Sequence, residues 1–266
     1  MQKGIKFRIY PNSEQQTIIN QTLGCCRLIY NKGLAMRNEA HQNGNKIGYS
    51  QTSAMLTDLK KSDDFAFLKA VDSIALQQSL RNLDRGFVNF FQKRAGYPQF
   101  KSKHNHHQSY RTINKDDNIR IVGKYIKLPK LGFVKIRQTM GVEKINNVTI
   151  EHTPTNKYFA VLNVKFEPQL MSNKGGKIGI DVGIKEFYSD SNGNTVSNPR
   201  YLERSMRKLI REQRRLSRKQ KGSHNRDNQR IRVALVHEKI TNQRNDFLQK
   251  QSTMLIRENQ TICIED

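Results

Sequence analysis

The sequence predicts an α+β protein with two domains. One alternating strand opens the chain, several helical patterns follow it, and short apolar runs separated by turn residues then replace the helices. A second succession of strand, hairpin, helices and strand begins after a pair of glycines. We expect a first domain at residues 1–172, a small β-barrel with a helical insert at about residues 12–94, and a second, α/β domain at residues 173–266.

The first element is a strand that leads into the helical insert. Residues 3–10 alternate polar and apolar side chains and are followed by a proline, which ends a strand. Asn12 or Ser13 can then cap a helix, because both side chains accept hydrogen bonds from the free N–H groups of a first turn. The clearest later helix covers residues 71–93, where apolar side chains recur every three or four positions.

Short apolar runs follow a basic loop that contains several aromatic residues, at residues 96–112. Each run has the length of a strand, and together they predict an antiparallel sheet or barrel. The runs are residues 119–122, 125–128, 133–136, 148–150 and 158–166. The Asn-Lys-Gly-Gly segment at residues 173–176 predicts a linker to the second domain.

The second domain opens with an apolar strand that ends at Asp181. The next strand turns at residues 192–193, Asn-Gly, a typical hairpin pair. Helices from Tyr201 and from about residue 225 to residue 259 come next, and the strand at residues 261–265 completes the order. An acidic strand, a hairpin, two helices and another acidic strand are the order expected of a ribonuclease-H-like sheet.

The charge of the chain predicts a polyanionic partner. Lys and Arg number 47 against 23 Asp and Glu, a formal net charge of +24, and a protein this basic gains affinity by releasing counterions from phosphates. A mean hydropathy of -0.77 and the lack of a long apolar run argue against a membrane partner. The N-terminus has no apolar segment typical of a signal peptide. We therefore expect nucleic acid as the partner and no membrane.

The three cysteines predict an intracellular protein. Cys25 and Cys26 are neighbours, Cys263 is far from them in sequence, and no Cys-x-x-Cys pair exists. Neither a disulfide framework nor a complete zinc site can be assembled from them. We expect all three side chains to be small buried hydrophobes.

Two acidic residues are candidates for metal binding and catalysis. Asp181 and Glu265 each end an apolar strand, and two-metal phosphodiester hydrolysis needs carboxylates that converge from adjacent strands. Hard oxygen ligands favour Mg²⁺ or Mn²⁺. The alternatives are that Asp181 is a turn or capping residue and that Asp266 is the relevant acid in place of Glu265.

Two basic segments are candidates for nucleic-acid contact. Residues 200–221 contain ten Lys or Arg and two Glu, an excess too one-sided for pairing within the helix. The candidates there are Arg207, Arg211, Arg214, Arg215, Arg218, Lys219 and Lys221. In the earlier loop, basic residues alternate with aromatic residues, which suits stacking and phosphate neutralisation, although packing can produce the same pattern. The basic residues there are Arg94, Lys101, Lys103 and Arg111, beside Tyr97, Phe100 and Tyr110. A solvated loop explains His104, His106 and His107 better than a metal site.

Segments along the whole chain, in family order, identify a resemblance. They include KFRIYPNSEQQ, GCCRLIYNKGL, GYPQFKSK, KLPKLGFVKIR, GIDVGIKEF and the final IED. On these segments the chain resembles the TnpB (OrfB) proteins of bacterial insertion sequences, compact relatives of type V CRISPR nucleases. The resemblance implies a wedge-like barrel with a helical recognition insert, followed by a RuvC-type nuclease domain. It also implies a guide RNA made from the transposon end, a double-stranded target DNA, and a cytoplasmic, nucleoid-associated location.

The resemblance also assigns roles to residues. The first two catalytic acids of the family correspond to Asp181 and Glu265, with Mg²⁺ or Mn²⁺ as the expected cofactor. Tyr49, Gln77 and Thr112 become candidates for duplex contact. Family members continue into a four-cysteine zinc ribbon and a third catalytic Asp, and neither is present in these 266 residues. We therefore expect an incomplete RuvC-type domain with no zinc site and no strong cleavage by this chain.

Two other functions stay open. One is a natural nuclease-dead, RNA-guided DNA-binding protein that represses transcription, although the retained Asp181 and Glu265 argue mildly against a long-adapted loss of cleavage. The other is a sequence-specific DNA-binding protein that needs no RNA and uses its N-terminal helices as a helix-turn-helix. Selection of one DNA sequence by RNA-free protein would support this last function.

Overall fold

The chain forms two compact units in a computed structural model. The structure describes residues 1–105, 107–137, 141–142, 144–167 and 175–265. Unit 1 comprises Met1–Glu167 and unit 2 comprises Pro168–Asp266. The predicted domain boundary between residues 172 and 173 lies outside the described residues.

Unit 1 combines three helices with an antiparallel sheet. The helices are α1 (Ser13–Gln42), α2 (Tyr49–Lys61) and α3 (Ser73–Phe91), with a 3₁₀ segment at Asp63–Lys69. The strands are β1 (Gln2–Tyr10), β2 (Gln108–Ile113), β3 (Arg120–Val122), β4 (Tyr125–Leu128), β5 (Gly132–Arg137), β6 (Ile145–His152) and β7 (Tyr158–Lys165). The predicted opening strand, the helix after it, the later helix and the five short strands are confirmed.

The three helices of unit 1 lie, in sequence, between strands of one sheet. The strand order is β2-β6-β7-β1-β5-β4-β3, so β1, which precedes the helices in sequence, pairs with two strands that follow them. In the described ladders, β2 and β3 each pair on one side only. Of the predicted antiparallel sheet or small barrel, the described residues form a curled sheet with two free edges.

Strand β2 corrects the prediction of a loop over residues 96–112. Its residues pair with β6 in an unbroken antiparallel register from Gln108↔His152 to Ile113↔Asn147. Tyr110 and Thr112 alternate inward and are both buried. The strand escapes sequence analysis because a threonine occupies an apolar position and Arg111 lies between the two buried residues. Thr and Tyr nevertheless fit a pleated, half-buried surface well.

Side-chain caps fix the starts of α1 and α3. Asn12 caps α1 in a capping box, in which the Gln15 backbone N–H donates to Asn12 Oδ1 at 2.8 Å and the Asn12 N–H donates to Gln15 Oε1 at 3.1 Å. Asp72 caps α3 by accepting from the Ile74 N–H at 2.9 Å. Asn12, and not Ser13, is therefore the cap of the first helix.

The helices pack on one face of the sheet around a single large core. Leu76 and Ile29 from the helices and Ile150 from the sheet are fully buried within it. Cys25 and Cys26 are free, buried thiols, and burial raises the pKa of Cys26 to about 12. These two cysteines are the small buried hydrophobes that were predicted, whereas Cys263 is exposed.

Two glycines of α1 should respond oppositely to alanine. A Cβ at Gly33 would lie 2.9 Å from Leu80 Cδ2 and 3.1 Å from Leu83 Cδ2, so Gly33→Ala should destabilise unit 1 by about 1–3 kcal/mol through overpacking. A Cβ at Gly24 meets no described atom within 4 Å, so Gly24→Ala should stabilise it by about 0.5–1 kcal/mol. Urea unfolding followed by circular dichroism measures both changes, and stabilisation by both variants would contradict the close packing of α1 on α3.

Unit 2 is a four-stranded mixed sheet with a helical hairpin. Its elements are β8 (Gly176–Asp181), β9 (Glu186–Asp190), β10 (Thr195–Ser197), α4 (Tyr201–Ser217), α5 (His224–Glu258) and β11 (Asn259–Ile264). The sheet order is β10-β9-β8-β11, with β8 and β11 parallel and the other pairs antiparallel. The predicted order of strand, hairpin, two helices and strand is confirmed.

Among the helices of the described part of the chain, none is both long and apolar enough to cross a bilayer.

Candidate active site and nucleic-acid interface

Asp181 and Glu265 lie at the same end of two neighbouring parallel strands. Asp181 is the last residue of β8, and Glu265 directly follows β11. The register pairs Ile264 with Ile180, and the Glu265 N–H donates to the Ile180 carbonyl at 3.4 Å. Adjacent strands therefore bring the two acids to one edge of the sheet.

Strand alternation puts Asp181 on the face opposite the core. Ile178 and Ile180 are buried, whereas Asp181 and Glu265 are exposed. Side chains of successive strand residues point to opposite faces, so Asp181 shares its face with Gly179. The two carboxylates are thus open to solvent and to a cation.

A third nearby acid, Asp190, has a structural role. It pairs with Ile180 across the sheet, and its carboxylate accepts from the Asn192 and Asn194 backbone N–H groups at 2.9 Å each. Hydrogen bonds from the Asn194 side chain, and then from these N–H groups, hold the pKa of Asp190 below its ordinary value. Asp190 therefore stabilises the β9–β10 turn, the role considered above as the alternative for Asp181.

The carboxylates of Asp181 and Glu265 fit a hard divalent cation, although they supply only two ligand groups. Two carboxylates are ligands that Mg²⁺ and Mn²⁺ accept, with water completing the coordination. Within the described residues, no group of three or more His, Cys, Asp or Glu side chains converges on one point. Asp266, the alternative to Glu265, lies outside the described residues.

In the aromatic-basic loop of unit 1, two residues are tied to the helices. The Tyr97 hydroxyl donates to Asn38 Oδ1 at 2.6 Å, and its ring makes edge contacts with Phe87 and Phe90. The Lys101 ammonium lies 4.2 Å from the centre of the Tyr30 ring. These contacts agree with the packing alternative. Tyr97 and Lys101 are nevertheless exposed, as are Arg94, Phe100 and Lys103, whereas His106 lies outside the described residues.

The predicted residues Tyr49 and Arg111 line one cleft of about 460 Å³ in unit 1. The Arg81 guanidinium stacks on the Tyr49 ring at 4.8 Å, and Arg111 Nε donates to Asn147 Oδ1 at 3.1 Å. Arg81 and Arg85 add two cations that sequence analysis did not select. The structure thus makes this cleft a cationic surface.

Gln77 and Thr112 do not join that cleft. Gln77 is exposed on α3 but is not part of the lining. Thr112 is only 1% exposed, because it occupies an inward position of β2. The Thr112 side chain therefore has no route to DNA in this conformation, which corrects its selection as a contact residue.

In unit 2, two of the predicted cations of α4 pair with a buried carboxylate. Glu212 is 5% exposed, and it pairs with Arg211 at 3.6 Å and Arg215 at 3.3 Å. Gln229 of α5 donates from Nε2 to Glu212 Oε2 at 2.7 Å and to the Glu212 carbonyl at 3.1 Å. The remaining predicted cations are exposed or half-exposed: Arg207, Arg214, Arg218, Lys219 and Lys221.

The pair of Glu212 and Gln229 fixes how α4 and α5 lie against each other. Apolar contacts among Leu209, Val236 and Ile240 flank it. Gln229, and then Arg215 and the neighbouring arginines, hold the pKa of Glu212 below its ordinary value. The carboxylate is thus favoured in its charged form.

This lowered pKa predicts a pH-dependent stability. A carboxyl group whose pKa is lower in the folded state adds stability above its unfolded pKa of about 4.3, and loses it as the pH falls through the folded value. Glu212→Gln should therefore speed hydrogen exchange of the α4 and α5 amides at pH 7, and the difference should shrink below about pH 4. Glu203→Gln, on the same helix but exposed, is the control. A difference that persists at pH 3 would contradict the assignment.

The helices α4 and α5 also enclose a cleft of about 380 Å³. Five cations line it: Arg204, Lys208, Arg215, Arg232 and Lys239. Of the residues predicted from the sequence, only Arg215 is among them.

Comparison with known proteins identifies the family. Residues 159–266 match a family model described as "Probable transposase", and residues 1–46 match one described as "Helix-turn-helix domain". A relative from Streptomyces pristinaespiralis, named "Putative RNA-guided DNA endonuclease", is 37% identical over 271 residues, which cover 100% of this chain and 67% of the relative. The chain belongs to the TnpB (OrfB) family.

A second TnpB-family relative gives the same picture. "Putative RNA-guided DNA endonuclease InsQ" of Escherichia coli (strain K12) is 33% identical over 272 residues, which cover 99% of this chain and 66% of the relative. The chain therefore spans about two thirds of the length of these relatives.

The fold is similar to that of a solved Cas12f1. The Cas12f1 chain in a cryo-EM structure of a Cas12f1-sgRNA-target DNA complex has a TM-score of 0.52 and 11% identity, with 100% of this chain and 81% of that chain covered. At this identity the likeness concerns the fold alone. It supports the mixed α/β class and the curled antiparallel sheet of this TnpB-family chain.

The helix-turn-helix description does not fit the structure of residues 1–46. This region contains β1 and the single helix α1, and α2 begins only at Tyr49. Moreover, β1 is an interior strand of the sheet. In this TnpB-family chain the N-terminal region is therefore part of a larger sheet-and-helix unit.

Sequence analysis missed the α5 side of the second cleft. Arg232 and Lys239 are separated by seven residues, two turns of a helix, and so share one face of α5. Arg204 and Lys208 are separated by four residues on α4. The spacing of these four cations predicts one basic face on each helix. The charge run at residues 200–221 covers α4 only and gives no indication of the face on α5.

Proposed function

We propose that this chain is a transposon-encoded, RNA-guided DNA-binding protein that carries the first two metal-binding acids of a RuvC-type nuclease domain. The observation that carries the proposal is the 37% identity, over the whole chain, to a relative named as an RNA-guided DNA endonuclease. The net charge of +24 supports it, because long phosphate backbones need many cations. The partners are a guide RNA from the transposon end and a double-stranded target DNA at the bacterial nucleoid.

In this proposal Asp181 and Glu265 hold Mg²⁺ or Mn²⁺. Their position at one end of adjacent parallel strands and their exposure support the assignment. When bound there, divalent cations would supply water activation and stabilisation of the leaving oxygen. The carboxylates bind the cations and neutralise their charge, and the β8–β11 backbone ladder keeps the two side chains at one sheet edge.

Cleavage by the 266-residue polypeptide alone should stay below detection. The third catalytic Asp and the zinc ribbon that the family resemblance implies are not in its sequence. Two carboxylates leave much of the coordination to water, and a missing ligand misplaces the metal relative to the scissile phosphate.

The experiment is a mobility shift with the 266-residue polypeptide, RNA transcribed from the transposon end, and DNA that matches or mismatches the guide. We expect a stable DNA complex only when the RNA is present and matches the target, with intact DNA after incubation with Mg²⁺. RNA-free protein that selects one DNA sequence would overturn the guided mechanism. Guide-dependent cutting by this polypeptide would overturn the expectation that it does not cleave on its own.

A further inference from the structure

The α4–α5 cleft is a built cationic groove. Its two walls come from antiparallel helices held in register by Glu212 and Gln229, both of which are buried. Three cations project from α4 and two from α5. The buried pair of Glu212 and Gln229 fixes the position of both helices. The five cationic side chains are therefore attached to backbone segments that hold a constant separation.

The cations of this groove greatly outnumber its acids. Glu212 is the one acidic residue in the lining. Its carboxylate already pairs with Gln229 and Arg215. Within the described part of the chain, Arg204, Lys208 and Lys239 form no side-chain ion pair with an acidic residue. The groove therefore keeps several positive charges available for an external anion.

The apolar part of the lining and the length of the groove indicate which kind of anion fits it. Leu235 is 43% exposed in the lining, beside the buried Val236. From Arg204 to Arg215, α4 rises about 16 Å, the length of four to five phosphates in a stacked strand at about 3.4 Å each. Cationic walls over an apolar floor suit phosphates at the sides and a ribose or base below, a combination that only a single strand presents.

We propose that the α4–α5 cleft binds the phosphodiester backbone of one unpaired nucleic-acid strand. The proposal rests on the proposed function, because it concerns how the same protein holds its nucleic acid. It adds Arg204, Lys208, Arg232 and Lys239 as phosphate contacts. Leu235 packs under the sugar or base, and Glu212 acts as a positioning residue through Gln229 and Arg215.

The test uses the full 266-residue chain and fluorescence anisotropy with labelled 12-mers of single-stranded RNA, single-stranded DNA and duplex DNA. The cleft variant changes four lining cations to Gln: Arg204→Gln, Lys208→Gln, Arg232→Gln and Lys239→Gln. The matched control removes the same charge from unit 2 outside the groove: Lys177→Gln, Lys185→Gln, Arg244→Gln and Arg257→Gln. Circular dichroism melting checks that both variants fold.

The cleft variant should bind single strands about 100-fold more weakly. The slope of log K against log salt concentration should also become shallower by about 3, because each of the four lost phosphate contacts contributes about 0.7 to that slope. The control and the duplex should change less than about fivefold. Equal losses for RNA and DNA assign the site to the shared backbone, whereas a loss for RNA alone assigns it to the guide. Either result supports the cleft, and equal weakening by the two variants overturns it.

A milder variant keeps the test valid if the quadruple variant fails to fold. Leu235→Asp places a negative charge on the half-exposed floor, and it should weaken single-strand binding at least tenfold. Unchanged binding would overturn the proposal. If the wild-type chain binds RNA and both cleft variants bind it equally well, this cleft is not the binding site. The proposed function would still stand. A wild-type chain that binds no RNA would reject both.

Discussion

Neutralising both candidate acids, with Asp181→Asn and Glu265→Gln, should abolish Mn²⁺ binding at the carboxyl ends of β8 and β11. Carboxylates are the charged oxygen donors at this edge, and amides bind such cations far more weakly. In the unaltered chain, Mn²⁺ should broaden the NMR signals of the backbone amides around residues 180–183 and 263–265. In the double variant, those signals should persist at the same Mn²⁺ concentration.

Single substitutions and a distant pair of acids sharpen this test. Asp181→Asn or Glu265→Gln alone should leave weaker broadening, because one carboxylate remains. Asp227→Asn with Asp246→Asn removes two exposed acids of α5 and should leave the broadening at β8 and β11 intact. Broadening that survives in the first double variant would show that other groups bind the metal, and the catalytic assignment of both acids would fail.

Replacing Asp84 by alanine should destabilise unit 1 by about 2–3 kcal/mol. Asp84 pairs with Arg37, whose side chain is only 7% exposed and whose guanidinium lies 4.7 Å from the centre of the Phe87 ring. Without Asp84, a nearly buried cation loses its counter-charge, a change that typically costs about 3–5 kcal/mol. The Asp84 side chain is itself 39% exposed, so solvent screening reduces the expected cost.

A double-mutant cycle separates the ion pair from general packing. Arg37→Met keeps the apolar stem over Phe87 and removes the buried charge, so Arg37→Met with Asp84→Ala should be more stable than Asp84→Ala alone. Urea unfolding followed by circular dichroism gives each free energy of unfolding. Additive losses would mean that the two side chains do not interact in solution. The exposed pair of Lys61 and Asp58 is the control, where Asp58→Ala should cost under about 1 kcal/mol.

Sequence analysis succeeded where a local pattern specifies the structure. Asn12 caps α1 because cap chemistry is set by residues within one turn. The two acids fall at one sheet edge because parallel strands of similar length end together. The resemblance to the TnpB family and the order of the elements along unit 2 both follow from such contiguous segments.

Features that depend on distant residues were missed. Strand β2 is specified by its ladder with β6, about forty residues later, and not by its own polar composition. The burial of Thr112 follows from that same ladder. The α4–α5 cleft needs the register of two helices, which one buried pair, Glu212 and Gln229, determines. A charge count along one helix carries no information about that register.

The interior position of β1 has a consequence for the order of folding. Gln2 pairs with Lys165, so the first strand made by the ribosome has no partner on that side until nearly the whole of unit 1 has been synthesised. Sheets with such distant pairings fold slowly, whereas helices form from local contacts. The helices α1 to α3 should therefore assemble first. Until its partner strands are synthesised, β1 should remain unpaired, with its apolar face exposed. The sheet can then be completed only after β7 has been synthesised, because β1 pairs with β7.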